Sequence, residues 1–202
     1  MLKAVLLTAL CTIIGYLFGS TTLAIFIGDV FYNRDVRNEG SGNMGATNMS
    51  RSFGMKAGVW TLLWDVGKCL IALIIGRAVF SEIGICAAGI ACLIGHAFPC
   101  LHYFKGGKCV ACSVAVAFFL SWKIGIIVLA VFALAVLLSR RVSLGSVLAA
   151  LALAVSSVFL TGSVPEMVLG AFAGCFVILR HHANIRRLIK GTEPAFSISK
   201  EE

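Results

Sequence analysis

Glycine, asparagine and one arginine are concentrated between two apolar stretches, in the segment Gly-Ser-Gly-Asn-Met-Gly-Ala-Thr-Asn. Its glycines are Gly40, Gly42 and Gly45, and its polar side chains are Ser41, Asn43, Thr47, Asn48 and, three residues later, Arg51. Glycine permits positive φ and close approach of the backbone to a ligand, and successive N–H groups in such a turn form an anion-binding concavity. A nearby arginine can form two hydrogen bonds to one phosphate. A loop without a ligand is the alternative, and the amide donors and the arginine favour a phosphate site over it.

A second glycine-rich segment has two parts. The first is Gly-His-Ala-Phe-Pro at 95–99, and the second is Lys105, Gly106, Gly107 and Lys108, in which two glycines lie between two lysines. The glycines again allow the backbone to approach an anion, and the lysines supply positive charge. The P-loop spacing G-x-x-x-x-G-K-[ST] is absent, so the segment does not indicate nucleotide hydrolysis. Lysines that extend along a membrane edge are the alternative, and the two glycines between them favour an anion site.

The third segment with reactive residue types follows the last apolar stretch. It reads Arg-His-His-Ala-Asn-Ile-Arg-Arg from residue 180, and Glu193 comes shortly after it. On a helix, His181 and Asn184 would lie three residues apart on one face. An imidazole there could act as a base, as a hydrogen-bond donor or as a helix cap, and histidine is well suited to proton transfer near neutral pH. A basic tail that binds lipid headgroups is the alternative.

The composition indicates what kind of protein carries these segments. Of the 202 residues, 59% are hydrophobic and 13% are charged, and the mean hydropathy is +0.98. An average soluble domain is about 45–50% apolar and about 25% charged. So few charges could not cover the surface of a globule in water, which excludes a soluble enzyme, a disordered protein and a nucleic-acid-binding module. The chain is therefore predicted to be an integral membrane protein.

The eight cysteines predict neither a metal site nor a disulfide framework. Most lie in or beside apolar runs, where a thiol acts as a small hydrophobic group. Cys109 and Cys112 have C-x-x-C spacing, but no second pair and no histidine ligand stands at zinc-site spacing. We therefore expect no metal and no cofactor, and we interpret the C-x-x-C match as accidental.

Because a membrane-spanning helix needs about 20 apolar residues, the chain is predicted to form one polytopic domain, 1–202, with seven transmembrane helices and an all-α fold. The predicted spans are 2–27, 57–80, 83–101, 109–121, 123–138, 144–160 and 164–180. The segments predicted on one common side are 28–56, 102–108, 139–143 and the tail 181–202. All three chemically distinctive segments lie on that side, which favours an enzyme over a transporter.

The basic residues predict which side this is. Thirteen of the seventeen Lys and Arg residues lie in or directly beside those segments, three lie on the other side, and Lys68 lies within a span. The positive-inside rule places the thirteen-residue side in the cytoplasm, with the N-terminus outside and the C-terminus inside. Asp65 and Lys68 are spaced to face each other on one helix, either as an internal ion pair or in a functional role.

Together the three segments resemble the bacterial acyl-phosphate-dependent glycerol-3-phosphate acyltransferases, the PlsY family. The resemblance extends from Gly19 to Glu193 and keeps the order of the family's motifs. It implies a seven-helix enzyme that moves a fatty acyl group from acyl-phosphate to the sn-1 hydroxyl of glycerol 3-phosphate. The products would be lysophosphatidic acid and phosphate, in the first step of phospholipid synthesis. It also implies a multi-pass protein of the bacterial cytoplasmic (inner) membrane with a cytoplasmic active face, in contact with membrane lipids and functional as a monomer.

The resemblance also assigns roles by position. The residues expected in catalysis are His181, Asn184, Ser41 and Arg51. The residues expected to bind substrate are Gly40, Gly42, Asn43, Gly45, Thr47, Asn48, Lys105, Gly106, Gly107, Lys108 and Ser143. The residues expected to be structural are Asp65, Lys68 and Glu193. The sequence departs from the family pattern at Cys69 and Cys109, where glycine is usual, and at Cys112, where threonine is usual.

Two alternatives belong to other classes. A membrane transporter or channel for a phosphorylated organic anion would explain the spans and the basic loops, but not three motifs on one side. An acyltransferase that uses acyl-CoA or acyl-carrier protein would be expected to carry H-x-x-x-x-D. Here Leu101 stands at the aspartate position after His96, and no other histidine has an aspartate at that spacing.

Overall fold

The structure is a computed structural model that describes residues 1–195, so the end of the predicted tail, 196–202, lies outside the described residues. Its helices are α1 (Leu2–Ser20), α2 (Leu23–Tyr32), α3 (Ala46–Ala97), α4 (Val110–Leu120), α5 (Trp122–Ser139), α6 (Val142–Leu160), α7 (Val164–Arg180) and α8 (His182–Ile189). Two short 3₁₀ helices cover Val36–Asn38 and Cys100–His102. Residues 1–195 contain no β-strand, as the all-α prediction requires.

Length and hydropathy mark four of these helical stretches as able to cross a membrane, or five if α7 and α8, bent by 58°, count as one span. The longest, α3, contains non-helical backbone at Phe80 and Ser81, which divides it near the predicted boundary between two spans. The 11 residues of α4 extend only about 16 Å, about half the hydrocarbon thickness of a bilayer. Seven spans and their orientation therefore stay predictions.

The first predicted span, 2–27, differs from the structure. Helix α1 ends at Ser20, because Thr21 is extended (φ −73°, ψ 141°), and the short helix α2 begins two residues later. Lys68 of α3 donates a hydrogen bond to the Thr21 carbonyl at 2.7 Å, which satisfies one of the groups released by this break. The break turns the chain toward the loop that carries the first glycine-rich segment.

The predicted loop 28–56 is also partly helical. Helix α2 extends to Tyr32, and α3 begins after Gly45, so Thr47, Asn48 and Arg51 lie on the first turns of α3. At Gly54 the φ angle is +86°, which interrupts α3 just after these turns and suits glycine. The Tyr32 hydroxyl donates to the Phe53 carbonyl at 2.8 Å beside this interruption.

Small residues let α1 pack directly on α3. Gly15 and Gly19 lie on the backbone of Ala88 and Cys92, with no room for a side chain between them. Such contacts are typical of helix packing in membranes, where van der Waals contact replaces the hydrophobic effect. The main buried cluster joins α3 to α4 and α7, with contributions from α5 and α6. These contacts bring the end of α3 and the end of α7 together, whereas Met44 of the first glycine-rich loop packs in a second buried cluster with α2 and the start of α3.

Candidate active site

Asn48 holds the first glycine-rich loop together. Its Oδ1 accepts a hydrogen bond from the Ser41 N–H at 2.9 Å, and its Nδ2 donates to the Glu39 carbonyl at 3.0 Å. Gly40 and Gly42 adopt left-handed φ angles of +54° and +68°, as expected for a tight anion-binding turn. Gly45 has an ordinary φ of −87° as the residue before α3, so the expectation of positive φ fails there.

Other polar groups of this segment lack protein partners. The Asn43 Oδ1 is buried without a hydrogen bond to the described residues. Arg51 is half-buried, and among residues 1–195 no ion pair or hydrogen bond engages its guanidinium. The Ser41 residue is exposed at the surface of the loop. These groups can therefore bind a ligand, whereas Asn48 uses its side chain within the loop.

An open cavity of about 630 Å³ joins the first two segments to the end of α7. The lining residues are Asp35, Arg37, Asn38, Gly42, Phe104, Lys105, Gly106 and Arg180. The structure thus brings the predicted Gly42, Lys105 and Gly106 to one place. The positive charge of Arg37 is matched by a salt bridge to Asp35 at 2.6 Å, so Lys105 and Arg180 account for the excess positive charge of the lining.

Arg180 is a site residue that the sequence reasoning did not select. Its Nε and Nη2 donate to the Gly107 carbonyl at 3.3 and 3.2 Å, and its guanidinium lies 4.9 Å from the centre of the Phe98 ring. The sequence could have indicated Arg180 by its position, because it is the first residue of the third segment and immediately precedes His181. The cavity-lining residues Asp35, Arg37 and Asn38 were also missed, because they precede the motif.

A chain of polar contacts joins the second segment to the third. Lys108 Nζ donates to Asn184 Oδ1 at 2.7 Å, and Asn184 Nδ2 donates to Glu193 Oε1 at 2.6 Å. Arg187 Nε donates to Glu193 Oε2 at 2.6 Å. The buried Ser143 hydroxyl lies beside Glu193, but it does not reach hydrogen-bond geometry with any described atom.

The pKa values of this chain follow from burial and charge. Burial lowers the pKa of Lys108, and the positive charge of Arg187 lowers it further. Burial alone would raise the pKa of Glu193, but hydrogen bonds from Asn184 and Arg187 outweigh it and keep that pKa below its ordinary value. Glu193 is therefore an anion that accepts a hydrogen bond from Asn184, and the structural role expected for it stays a prediction.

His181 lies at the bend between α7 and α8 and is 3% exposed. Its Nδ1 is 2.8 Å from the Val177 carbonyl, and because a carbonyl only accepts, Nδ1 carries the proton. Burial lowers the pKa of the imidazole to about 4, although the bond to Val177 partly opposes this. The ring is therefore neutral near pH 7, with Nε2 as a hydrogen-bond acceptor. The carbonyl of Val177, and not Asn184, orients the ring.

Asp65 and Lys68 form a buried ion pair, with Lys68 Nζ 2.9 Å from Asp65 Oδ1. Lys68 Nζ is also 2.9 Å from Nδ1 of His96. The structure therefore shows the internal ion pair between Asp65 and Lys68. Among residues 1–195, no group of three or more His, Cys, Asp and Glu side chains is arranged to hold a metal ion.

We expect Cys109→Gly combined with Cys112→Thr to retain activity within about threefold. Cys109 has a φ of +66°, so glycine removes backbone strain of about 1–3 kcal/mol at this position. The Cys112 thiol contacts the Asp65 carbonyl at 3.4 Å, a hydrogen bond that a threonine hydroxyl can replace. Initial rates of the purified double variant check this. A loss of a hundredfold or more would instead indicate that a thiol takes part in the reaction.

Comparison with known proteins is consistent with this arrangement of motifs. Residues 9–191 match the family model described as glycerol-3-phosphate acyltransferase. The chain is 37% identical over 188 residues to the glycerol-3-phosphate acyltransferase of Geobacillus kaustophilus, covering 93% of this chain and 95% of the relative. It is 38% identical over 185 residues to glycerol-3-phosphate acyltransferase 2 of Bacillus anthracis, covering 91% and 96%.

Solved structures agree with the fold. The glycerol 3-phosphate form of PlsY (YgiH), an integral membrane glycerol 3-phosphate acyltransferase, superposes with a TM-score of 0.88 at 33% identity, covering 94% of this chain and 96% of that one. The lysophosphatidic acid form of PlsY gives a TM-score of 0.85 at 31% identity, covering 94% and 95%. With near-complete coverage in sequence and in structure, the chain belongs to the glycerol-3-phosphate acyltransferase (PlsY) family of integral membrane proteins.

Proposed function

We propose that the protein transfers a fatty acyl group from acyl-phosphate to the sn-1 hydroxyl of glycerol 3-phosphate. The observation that carries this proposal is the cavity in which both glycine-rich segments meet Arg180. It presents backbone groups and unpaired cations that suit two phosphate-bearing substrates. The family supplies the acceptor, since its members are named for glycerol 3-phosphate.

Acyl-phosphate is a mixed anhydride and is already activated. The substrate hydroxyl attacks the carbonyl carbon, a new ester C–O bond forms, and the bond from that carbon to the phosphate oxygen breaks. The hydroxyl proton passes to the imidazole of His181 or to a substrate phosphate, and the leaving phosphate takes the electron pair of the broken bond. No acyl-enzyme is required, so the protein can act by aligning the substrates and stabilising the developing oxyanion.

We assign the phosphate of acyl-phosphate to the turn around Gly40 and Gly42, where the loop has left-handed backbone. Arg51, Lys105 or Lys108, and His181 would hold glycerol 3-phosphate. The exposed Ser41 would contact a substrate through its hydroxyl, and Asn43 would do so through the oxygen that has no hydrogen-bond partner among the described residues. Lys108 donates a hydrogen bond to Asn184, which in turn donates to Glu193. Lys105 is therefore more available to a substrate than Lys108.

His181 suits a positioning role in this reaction. With Nδ1 committed to Val177, Nε2 can accept the hydrogen bond of the attacking hydroxyl and orient it. A pKa of about 4 makes the ring a weak base at neutral pH, and the phosphate groups of the substrates are an alternative destination for the proton. Because the acyl group is already activated in the mixed anhydride, the reaction depends less on a base supplied by the protein.

Donor choice is the direct test of the proposal. Purified protein in detergent receives labelled glycerol 3-phosphate together with acyl-phosphate, acyl-CoA or acyl-carrier protein at equal acyl concentration. We expect labelled lysophosphatidic acid, with release of one phosphate per product, from acyl-phosphate alone. Product from acyl-CoA or acyl-carrier protein at a comparable rate would overturn the proposed donor. Uptake of glycerol 3-phosphate into proteoliposomes without acyl transfer would favour the transporter alternative instead.

We further propose that the site faces the cytoplasm of a bacterial inner membrane and that the monomer is the active unit. The distribution of basic residues described above supports the orientation, and the monomer is what the family resemblance implies. Acceptor substrate is then taken from the cytoplasm and the acyl chain from the membrane side. The product would enter phospholipid synthesis at its first step.

Cysteine labelling can test this orientation. In a background without native cysteines that still catalyses acyl transfer, Lys190→Cys is exposed beyond α8, and Gly162→Cys is exposed in the turn between α6 and α7. We expect an impermeant maleimide to label position 162 in intact cells, and position 190 only after permeabilisation of the membrane. The reverse pattern would overturn the orientation.

A further inference from the structure

One buried imidazole has no role in the reaction proposed above. His96 lies near the end of α3 and is 6% exposed. Its Nδ1 is 2.9 Å from Lys68 Nζ, and its backbone carbonyl accepts a hydrogen bond from the Gly107 N–H at 3.0 Å. The residue thus connects the buried ion pair to Gly107.

The contacts of Lys68 determine the orientation of this ring. Lys68 Nζ donates to the Thr21 carbonyl at 2.7 Å and lies 2.9 Å from Asp65 Oδ1. A charged amino group has three donors and no acceptor, so Lys68 Nζ donates to His96 Nδ1, which also lies 3.5 Å from Asp65 Oδ1. Rotation of the ring would leave a buried donor of Lys68 unpaired, which is costly. The ring is therefore held in one orientation.

The opposite edge of the ring lies against Gly107. A Cβ atom at Gly107 would collide with His96 Nε2, Cε1 and Cδ2. The φ angle of Gly107 is not in the left-handed region, so the ring, and not the backbone conformation, excludes a side chain there. Gly106 differs, because a Cβ on it would collide with backbone atoms of His96 and Ala97.

Gly107 is also held by its own backbone groups. Its N–H donates to the His96 carbonyl, and its carbonyl accepts two hydrogen bonds from Arg180. The His96 ring supplies the third support, on the Cα side. The adjacent Gly106 and Lys105 line the cavity, so a shift of Gly107 would move the groups that face the ligand.

We propose that His96 is a positioning residue: its ring, held by Lys68 and Asp65, supports Gly107 and so places the backbone between Lys105 and Lys108 for glycerol 3-phosphate. This rests on the proposed function, because that segment is assigned to the acceptor substrate. His96 acts through Gly107 and does not touch the reacting atoms. The buried ion pair thereby contributes to the shape of the substrate site.

A pair of complementary substitutions tests the contact. Gly107→Ala adds a methyl group where the ring edge lies, and His96→Asn removes that edge while keeping an oxygen that can accept from Lys68. Each single variant should raise KM for glycerol 3-phosphate by about tenfold, with kcat and KM for acyl-phosphate nearly unchanged. In the double variant the methyl group occupies the vacated space, so KM for glycerol 3-phosphate should return to within about threefold of the wild-type value.

Gly106→Ala is the matched control. Its methyl group would meet backbone atoms, so His96→Asn should not rescue it. A Gly107→Ala/His96→Asn variant whose KM defect is the product of the two single defects would overturn the proposal, as would an unchanged KM in His96→Asn alone. If His96→Asn does not fold, His96→Ser combined with Gly107→Ala gives the same test.

The wild-type protein, Gly107→Ala, His96→Asn and the double variant are also compared by thermal unfolding without substrate. If the wild-type protein transfers no acyl group from any donor, the proposed function fails, yet coupling of the two substitutions in Tm would still establish the contact. Coupling in Tm without coupling in KM would limit His96 to stabilising the fold and would overturn its positioning role.

Discussion

His181→Ala is expected to lower kcat by about 10²–10⁴-fold, the range typical of a group that handles the reacting proton or orients its donor. Both roles predict this loss, so the informative variant is His181→Gln. Glutamine can accept a hydrogen bond from the substrate hydroxyl but cannot take a proton near neutral pH. Because the imidazole has a pKa of about 4, we expect glutamine to recover at least about tenfold over alanine.

The measurements are kcat for each variant, a thermal unfolding curve, and binding of glycerol 3-phosphate. A folded His181→Gln protein that binds glycerol 3-phosphate yet is as slow as His181→Ala would identify His181 as the general base. His182→Gln is the matched control. His182 is the exposed neighbour, its Nδ1 lies 3.2 Å from the Leu179 carbonyl, and we expect its replacement to change kcat by less than about twofold.

The low pKa of His181 also predicts the pH dependence. The folded protein protonates this ring only near pH 4, well below the ordinary value of about 6.5. The ratio of wild-type to His181→Gln activity should therefore stay flat between about pH 5.5 and 8, and any loss near pH 6 common to both proteins would come from substrate phosphate. A ratio that falls with a midpoint near 6.5 would contradict the buried, neutral ring.

The same shift has a consequence for stability. The unfolded chain binds a proton at His181 near pH 6.5, whereas the folded protein does so only near pH 4. Stability from this group is thus fully present above about pH 6.5 and is lost as the pH falls toward 4. The fall in Tm over this range should be smaller in His181→Gln than in the wild-type protein.

The second large effect is expected at Arg51. Its guanidinium is half-buried and makes no ion pair or hydrogen bond within residues 1–195. A substrate phosphate can therefore accept two parallel N–H hydrogen bonds from it. Lysine keeps the charge but loses the paired geometry. A charge-assisted hydrogen bond is worth about 1.5–3 kcal/mol, so Arg51→Lys should lower kcat/KM by about 10- to 100-fold.

Arg34→Lys is the matched control for Arg51→Lys. Arg34 precedes the same loop, its side chain is 52% exposed, and it forms a salt bridge with Glu39. Exposed ion pairs contribute little, so activity should stay within about twofold. Arg51→Lys with kcat/KM within threefold of the wild-type value would mean that Arg51 acts only as a diffuse charge or lies outside the site.

The sequence by itself determined the class of protein and the family. A chain with 59% hydrophobic and 13% charged residues cannot form a water-covered globule of this size, and that conclusion needs no tertiary information. One local break was also predictable. Ser121 separates α4 from α5, next to the predicted boundary between the spans 109–121 and 123–138.

The helix boundaries near the site were less predictable. Hydropathy extended the first span to residue 27, but the chain breaks after Ser20, where Lys68 from α3 binds the Thr21 carbonyl. That hydrogen bond joins residues 47 positions apart, so no local pattern contains it. The left-handed φ of Cys109, +66°, was also not expected, because the residue is not glycine.

The tertiary structure alone decided which polar side chains are available to a ligand. Asn48 and Asn184 have the residue types of substrate donors, yet one closes its own loop and the other bridges Lys108 and Glu193. Arg180 is one of many basic residues in the sequence, and only the structure shows that it donates a hydrogen bond to the carbonyl of Gly107. Availability depends on whether a buried group already has a hydrogen-bond partner, and those partners come from distant parts of the chain that only folding brings together.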